Sequence, residues 1–278
     1  MTPHDYLPII HSALSEDLAD VGDLTSLATI SAGASASADL VARAAGVIAG
    51  LEVAEAVFAE VDSTVSFQSM VDDGDVVAVG SVVARVIGSA RSLLMAERTA
   101  LNLLGRMSGV ATATRRLVEA VAGTGALISD TRKTMPGLRM LDKYAVIAGG
   151  GVNHRMGLYD AVMIKDNHLV AGLSISSAVA AARDLVGAEI EITVEVEDPE
   201  QLAEVLGTDA DRVLLDNMSP AILAQAVEQV SGRMITEASG GVTLDNVRLV
   251  AESGVDVISI GWITHSAPQL DLALDFRS

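Results

Sequence analysis

The sequence predicts an α/β protein in which a separate α+β domain precedes an incomplete barrel of parallel strands. From about residue 125, short apolar segments alternate with helical patterns, and the last four begin at residues 190, 212, 234 and 255. This spacing is typical of repeated βα units and a parallel sheet. So many units in a row favour a barrel over an open, doubly wound sheet. Only six strands are clear in the sequence, which indicates that the barrel is incomplete.

The first 110 residues lack this rhythm, so they are predicted to form a separate domain. Its elements, in chain order, are a helix over Asp5–Leu18, a strand over Asp39–Ile48, a helix over Val53–Val61 and strands within Val65–Ile87. Turn residues interrupt the last region at Asp72–Asp75 and at Val79-Gly80. A long helical pattern from Ser92 to about Val121 links this domain to the barrel.

The barrel's strands and helices are predicted from apolar runs and from residues that typically begin or end a helix. The predicted strands are Leu127–Asp130, Ala161–Lys165, Ile190–Glu195, Arg212–Asp216, Met234–Glu237 and Val255–Ile260. Asp198-Pro199 and Ser219-Pro220 each place an N-cap residue before a proline at the first helical position. Thr243 is the predicted cap of a helix over Leu244–Ser253, which Gly254 ends.

The overall composition excludes several classes of protein. The 278 residues carry 18 Lys and Arg against 37 Asp and Glu, a net charge of −19. Such an acidic chain does not bind nucleic acid or anionic membranes through a general basic surface. Half of the residues are hydrophobic and the mean hydropathy is +0.43, which excludes disorder. The absence of cysteine excludes disulfides, thiolate metal sites and a cysteine nucleophile.

No signal peptide and no apolar run long enough to span a membrane is visible in the sequence, so we expect a cytoplasmic protein.

The charge is unevenly distributed along the chain. Between Arg91 and Lys165 there are 11 basic and five acidic residues, a local charge of +6, whereas the remainder has 7 basic and 32 acidic residues, or −25. All three lysines of the chain lie in this segment. One interpretation is chance, with arginines solvated on helix faces. The other is a cationic pocket for an anionic small molecule.

Candidate binding residues cluster where barrel strands end. Ser129–Gly137 follows a strand and contains the adjacent Arg132 and Lys133, which suit a carboxylate or phosphate. Gly149–Arg155 adds flexible backbone and two more donors, and the strand over Ala161–Lys165 ends in a lysine. Since barrel active sites lie at the carboxyl ends of the strands, these residues indicate the catalytic face. The first of these segments is equally compatible with a solvated loop.

Later strands end in acids and then in glycine loops. Glu195 and Asp216 suit sugar hydroxyls, a Mg²⁺ held through water, or a developing positive charge. The alternative is that they form ion pairs with the barrel's own Lys and Arg. Ser239-Gly240-Gly241 and Ser259-Ile260-Gly261 follow consecutive late strands, the position at which barrels often bind phosphate. Together these segments predict a ligand with phosphate, sugar hydroxyls and carboxylates.

Several longer motifs resemble those of quinolinate phosphoribosyltransferase. They are Glu97–Asn102, Thr131–Arg139, Lys143–Val146, Gly149–Gly151, Asn153–Leu158, Ile164–His168, Val194–Glu197, Leu215–Asn217, Ser239–Gly241 and Thr264–Ser266. The resemblance covers residues 5–275 in order. It implies a type II phosphoribosyltransferase fold, with an N-terminal α/β sandwich over 1–108 and an open, seven-stranded α/β barrel over 109–266. The C-terminal tail, 267–278, is expected to return to the first domain.

The resemblance also implies a reaction and a set of roles. Quinolinate and phosphoribosyl pyrophosphate would give nicotinate mononucleotide, pyrophosphate and CO₂, with Mg²⁺ as cofactor, in a homo-oligomer such as a dimer or hexamer. The implied quinolinate ligands are Arg98 of a neighbouring subunit, Thr131, Arg132, Lys133, His154, Arg155 and Lys165. The implied catalytic residues are Lys133, Lys165, Glu195 and Asp216, of which Glu195 and Asp216 also serve the ribose and the metal. The implied phosphate ligands are Ser239, Gly240, Gly241, Ser259, Ile260 and Gly261.

Alternatives remain open at this stage. One is a related transferase for another acid, such as nicotinate or the substrate of a sister group found at molybdenum transport loci. Another is a non-catalytic anion-binding or carrier protein, since Asp72–Ile87 resembles a biotinyl carrier hammerhead. A carrier domain needs a lysine to which biotin or lipoate is attached, and the first 130 residues contain none, which argues against this alternative. Met70–Asp75 looks like the paired acids of some phosphoribosyl enzymes but is predicted to be a surface turn. Met135 and Trp262 depart from the family pattern.

Overall fold

The computed structural model describes residues 1–169 and 172–277. The chain forms two compact units. The first, here called the N-terminal unit, comprises Met1–Arg115, Thr134–Gly150 and Ile263–Ser278, and the second, the barrel unit, comprises Arg116–Lys133 and Gly151–Trp262. Ser278, the last residue of the predicted C-terminal tail, lies outside the described residues.

The secondary structure up to residue 120 is mixed. In chain order it is α1 (Pro3–Leu18), α2 (Leu24–Thr29), β1 (Ser35–Ala42), β2 (Gly46–Val47), α3 (Leu51–Val61), β3 (Ser66–Ser69), β4 (Val76–Val77), β5 (Val82–Ser89) and α4 (Ala90–Ala120). The helices predicted over 5–18, 53–61 and 92–121 are therefore present. The strand predicted over Asp39–Ile48 is present as two strands, the end of β1 and the short β2, with a break after Ala42. At this break the amide of Arg43 donates to the carbonyl of Asp271.

The remaining elements alternate more regularly. They are β6 (Leu127–Ser129), α5 (Arg139–Ala148), β7 (Val162–Ile164), α6 (Asp166–Leu169), α7 (Ile175–Val186), β8 (Ile192–Val196), α8 (Pro199–Val205), β9 (Arg212–Asp216), α9 (Pro220–Val230), β10 (Ile235–Ser239), α10 (Val247–Ala251), β11 (Val257–Ser259), α11 (Trp262–His265) and β12 (Leu272–Phe276). All six predicted barrel strands are present within a few residues of their expected bounds.

The N-terminal unit is built on an antiparallel sheet of order β12-β1-β5-β3, with a short ribbon of β2 and β4. Its apolar core includes Ile10, Leu40 and Phe58, which are almost completely buried. Phe58 of α3 also contacts Phe67 of β3, with ring centroids 6.0 Å apart. Strand β12 pairs with β1, so the C-terminal segment joins the first domain, as the resemblance implied.

The barrel unit contains a parallel sheet of order β6-β11-β10-β9-β8-β7. Its first strand pairs with its last, β11, which is how a sheet closes on itself. On the other side of β6, Val152 forms a single parallel bridge with Ser129. Within the described ranges, no pairing joins Val152 to β7, so the ring is open there. The predicted fold class, an N-terminal α/β domain with an incomplete α/β barrel, is confirmed.

Helix caps in the barrel unit show which local signals are reliable. Asp198 accepts from the amide of Gln201 and Ser219 from that of Ile222, each before the predicted proline. The Thr243 cap is wrong, because α10 begins only at Val247. The side chain of Asn246 instead bonds the amide of Thr243 and the carbonyl of Gly241, which stabilises a turn in front of the helix. Gly254 follows the helix with φ +89°, as predicted for a stop.

The acidic turn at Met70–Asp75 is structural, as predicted. Gly74 has φ +96°, and Asp73 accepts hydrogen bonds from the amides of Gly50 and Leu51 at the start of α3. These carboxylate contacts satisfy amide groups that a helix leaves unpaired at its beginning. No helix in the described part of the chain has the length and apolarity needed to cross a membrane.

Candidate active site

A cavity of about 420 Å³ lies in the barrel unit, at the carboxyl ends of its parallel strands. Its lining residues come from or directly follow β6 to β11 and the segment at Val152. They are Thr131, Arg132, Lys133, His154, Arg155, Met163, Lys165, Glu195, Leu214, Asp216, Glu237, Ser239 and Ser259. The structure thus brings together most of the predicted site residues. The sequence prediction missed Met163, Leu214 and Glu237.

One side of the cavity is cationic. Arg132 and Lys133 follow β6, and the hydroxyl of Thr131 accepts a hydrogen bond from the amide of Lys133 at 3.0 Å. The Arg155 guanidinium donates to the carbonyl of Ala161 at 3.0 Å. Burial, together with the nearby charge of Arg132, lowers the pKa of Arg155. A bound anion would relieve this repulsion, so this side of the cavity is suited to a carboxylate or phosphate.

Lys165 and Glu195 form an ion pair within the cavity. Their side chains extend from the ends of neighbouring parallel strands, β7 and β8, and Nζ of Lys165 donates to Oε2 of Glu195. The Lys165 side chain is 37% exposed and that of Glu195 14%. The amide of Lys165 donates to Nδ1 of His168, which fixes the chain where β7 ends. Both charges are therefore accessible to a ligand.

Asn217 connects Asp216 to the loop Ser239–Gly241 through hydrogen bonds. Asn217 has φ +54°, its side-chain amide donates to Asp216 at 2.6 Å, and its backbone amide donates to the carbonyl of Ser239 at 2.8 Å. Gly240 has φ +92°, and a Cβ there would lie 2.1 Å from Oδ1 of Asn217. Only glycine fits at position 240 without moving Asn217. This contact explains why position 240, one of the two glycines assigned to a phosphate loop, is occupied by glycine.

The two predicted phosphate loops enter the cavity only in part. Ser239 and Ser259 line it, whereas Gly240, Gly241, Ile260 and Gly261 are not among its lining residues. The amide of Ile260 donates to the carbonyl of Ser129. No helix begins directly after Gly241, since α10 starts at Val247. A phosphate-binding role for these loops stays a prediction. The first loop offers only its own backbone, whereas the second directly precedes the short helix α11.

Glu237 is the most notable residue that the sequence prediction missed. It lies on β10, is fully buried, and its Oε2 is 3.3 Å from Nε2 of His154 and 2.9 Å from Nη1 of Arg212. Burial alone raises the pKa of this carboxyl, but hydrogen bonds from His154, Ser259 and Arg212 outweigh it and lower the pKa. Arg212 is in turn paired with Glu191 at 3.1 Å. A glutamate in the predicted strand Met234–Glu237 was the available signal, because charged side chains are rarely buried unless they are paired.

Arg98 lies elsewhere in the chain. It is on α4 in the N-terminal unit, its side chain is 64% exposed, and it is 3.9 Å from Glu97. It is not among the residues that line the cavity of the barrel unit. Its implied role, at the site of a neighbouring subunit, stays a prediction.

The donor set is compatible with a magnesium ion that arrives with a substrate. Across residues 1–169 and 172–277, no group of three or more His, Asp or Glu side chains is arranged to hold a metal. Glu195 and Asp216 nevertheless line one cavity. Mg²⁺ is commonly held by one or two carboxylates, with water and substrate phosphates as its other ligands. These two residues fit that pattern.

Known proteins resemble this chain over its whole length. The family models of the quinolinate phosphoribosyl transferase N-terminal and C-terminal domains match residues 23–108 and 110–275. Quinolinate phosphoribosyltransferase (decarboxylating) 1b of Nicotiana tabacum is 41% identical over 289 residues, covering 98% of this chain and 82% of the relative. The probable nicotinate-nucleotide pyrophosphorylase (carboxylating) of Bacillus subtilis is 44% identical over 254 residues, covering 91% and 88%.

The solved structures agree. The crystal structure of NadC from Streptococcus pyogenes superposes with a TM-score of 0.95 at 38% identity, covering 100% of this chain and 99% of that one. The nicotinate-nucleotide pyrophosphorylase of Francisella tularensis gives the same TM-score at 33% identity, covering 100% and 98%. From sequence and fold together, the chain belongs to the quinolinate phosphoribosyl transferase family.

Proposed function

We propose that this protein transfers the phosphoribosyl group of phosphoribosyl pyrophosphate to quinolinate and removes one carboxylate. The products are nicotinate mononucleotide, pyrophosphate and CO₂, a step of de novo NAD biosynthesis. The observation that carries the proposal is the cavity itself, in which Arg132, Lys133, Arg155 and Lys165 share one space with the carboxylates of Glu195 and Asp216. The family membership of the chain supports the same reaction.

The cations suit the acceptor substrate. Quinolinate is a dianion, and its two carboxylates need more positive charge than one side chain supplies. Arg132 and Arg155 offer planar forks that match a carboxylate, whereas Lys133 and Lys165 are point charges suited to pyrophosphate or to the second carboxylate. Met163 and Leu214 add apolar lining against which a flat pyridine ring can pack.

The carboxylates suit the transfer step. The pyridine nitrogen donates its electron pair to the anomeric carbon as the bond from that carbon to pyrophosphate breaks, and positive charge develops on the ribosyl group. Glu195 and Asp216 stabilise this charge, and the cationic side of the cavity stabilises the departing pyrophosphate. The bond to the 2-carboxylate then breaks, CO₂ leaves, and the electron pair remains on the ring carbon next to the positive nitrogen until a proton replaces the lost group.

Magnesium is part of the proposal. Glu195 and Asp216 would hold it, partly through water, and the ion would supply positive charge for phosphoribosyl pyrophosphate. The residues themselves orient the ribose hydroxyls and present negative charge to the reacting carbon.

A shared site in a homo-oligomer is also proposed. The guanidinium of Arg98 is largely exposed on the N-terminal unit, its contact with Glu97 is long, and the family resemblance assigns it to a neighbour's quinolinate pocket. The cytoplasm is the proposed location, on the basis of a chain without cysteine. Cell fractionation checks it, because several plant relatives are named chloroplastic or mitochondrial.

The test supplies the protein with Mg²⁺, phosphoribosyl pyrophosphate and either quinolinate or nicotinate, and measures CO₂ and pyrophosphate. We expect both products from quinolinate and loss of activity when EDTA removes the metal. Asp216→Asn should reduce turnover strongly, whereas Asp245→Asn, on the exposed turn before α10, should not. Absence of CO₂ contradicts the proposal. Comparable turnover of nicotinate favours a transferase for another acid, and absence of pyrophosphate with either acid favours a binding protein.

A further inference from the structure

His154 is held at three points in the barrel unit. Its backbone amide donates to the buried Asp130 at 2.8 Å. Its ring Nδ1 accepts a hydrogen bond from the amide of Arg155 at 2.7 Å, and its ring Nε2 is 3.3 Å from the carboxylate of Glu237. The side chain itself is only 7% exposed. So the ring orientation is set by the protein before any ligand arrives.

These contacts identify the protonation state of the ring. A nitrogen that accepts a hydrogen bond from a backbone amide presents its lone pair there, so Nδ1 carries no proton. The ring proton is then on Nε2, which lies 3.3 Å from Oε2 of Glu237. An imidazolium would have a proton on both nitrogens and would place N–H against N–H at Arg155. It would also add a third positive charge beside Arg132 and Arg155, which already repel each other.

The carboxylate of Glu237 is held by Arg212 as well as lying close to His154. It is fully buried, and Arg212 donates to it at 2.9 Å from the start of the neighbouring strand β9. Arg212 is held by Glu191 in front of β8. The contact with Arg212 therefore fixes the position of the carboxylate next to His154 before a ligand binds.

We propose that Glu237 is a positioning residue, which holds His154 as a neutral imidazole with its proton on Nε2. His154 then fixes the backbone at Arg155 and does not meet the substrate carboxylates as a cation. The positive charge for those carboxylates comes from Arg132, Lys133, Arg155 and Lys165. This inference rests on the proposed function for its substrate, but the state of the ring can be measured without turnover.

The direct test is NMR of the full-length protein labelled with ¹⁵N in its histidine rings. Two-bond correlations between ring protons and nitrogens distinguish the two neutral tautomers from imidazolium. The chain has five histidines, and the His154→Gln variant identifies the signals of His154. We expect a protonated Nε2 and an unprotonated Nδ1 at neutral pH, with and without quinolinate. An imidazolium pattern in either sample, or a proton on Nδ1, overturns the proposal.

Binding measurements test the positioning role. Glu237→Gln keeps the shape but removes the charge that fixes the ring, and we expect it to weaken quinolinate binding about tenfold or more. Binding of phosphoribosyl pyrophosphate should change less than about twofold, since His154 is assigned to the quinolinate side. The control is Glu252→Gln, which makes the same chemical change in an exposed ion pair with Arg248. It should leave both affinities and turnover unaltered.

The outcomes separate this inference from the proposed function. Equal loss of affinity for both substrates in Glu237→Gln, or no loss for either, overturns the positioning role. If the unaltered protein binds no quinolinate, the proposed function fails, while the ring spectrum still decides the state of His154. If Glu237→Gln does not fold, the ring spectrum of the unaltered protein decides alone.

Discussion

Lys165 and Glu195, at the ends of the neighbouring strands β7 and β8, are hydrogen-bonded to each other inside the cavity. The proposed reaction requires both of these charges, one for an anionic substrate and one for the developing ribosyl cation. Without a ligand they satisfy each other. The ammonium group of Lys165 has three N–H donors, so a carboxylate or phosphate of a bound substrate would compete with Glu195 for this group.

Replacing Lys165 should affect activity far more than stability. For Lys165→Met we expect kcat/KM to fall by about a hundredfold or more, because a charge that stabilises anionic groups in a closed site is lost. The free energy of unfolding should change by about 1 kcal/mol or less, because the pair is partly exposed to solvent. Pyrophosphate release and thermal denaturation measure the two effects. Arg116→Met, at an exposed position of the barrel unit, is the control, and equal losses in both variants would argue against the role of Lys165.

Complementation tests the shared site. Arg98→Ala and Lys165→Ala should each be inactive alone. If Arg98 serves a neighbour's cavity, a mixed dimer contains one site with both residues intact. Random exchange should then restore about a quarter of the wild-type activity. Mass spectrometry of the mixture establishes that subunits have exchanged, and a mixture that has exchanged but remains inactive would contradict a shared site.

Gly240→Ala and Gly241→Ala form a matched pair. Both glycines have positive φ, but only at Gly240 would a new Cβ collide with Asn217, at 2.1 Å from its Oδ1. We expect Gly241→Ala to cost about 1 kcal/mol of unfolding free energy from backbone strain alone. Gly240→Ala should cost more and should also weaken phosphoribosyl pyrophosphate binding, because Asn217 is bonded to Asp216. Denaturant titration and calorimetry check this, and equal costs would mean that the contact with Asn217 relaxes freely.

Acid should selectively weaken the N-terminal unit through Asp39. Hydrogen bonding from Arg85, supported by Arg277, lowers the pKa of Asp39 below its usual 3.8. A carboxylate with a lowered folded-state pKa stabilises the fold above the unfolded value and loses that contribution as pH falls through the folded value. The difference in unfolding free energy between the wild type and Asp39→Asn should therefore be constant from neutral pH down to about pH 4 and shrink below it. A difference that does not depend on pH would contradict this assignment.

The sequence was a good guide wherever the signal was local. Strand β9 was predicted with its observed bounds, and the caps at Asp198 and Ser219 follow from side chains that bond amides three residues away. The cap at Thr243 failed because α10 begins only at Val247, and the amide of Thr243 itself donates to the side chain of Asn246 in the turn before the helix.

The candidate site was predictable because parallel strands bring their carboxyl ends to one edge of the sheet. Lys165, Glu195 and Asp216 each end a strand, so their meeting followed from topology. Glu237 was missed because its role depends on His154 and Arg212, which are distant in sequence and become its partners only in the folded barrel. Whether a charged side chain is buried depends on the residues that surround it in the folded protein. These residues cannot be identified from the order of residues along the chain.

The pairing of β12 with β1 has a consequence for synthesis on the ribosome. Asp39 accepts a hydrogen bond from Arg277, which lies 238 residues later in the chain. Strand β1 therefore leaves the exit tunnel long before its partner β12 is synthesised. Until then the edge of β1 offers unpaired backbone groups to other chains. Strands β7 to β11 are synthesised in the meantime, and consecutive strands of this series pair with each other. The first sheet to be synthesised is therefore completed only after β12 has been synthesised.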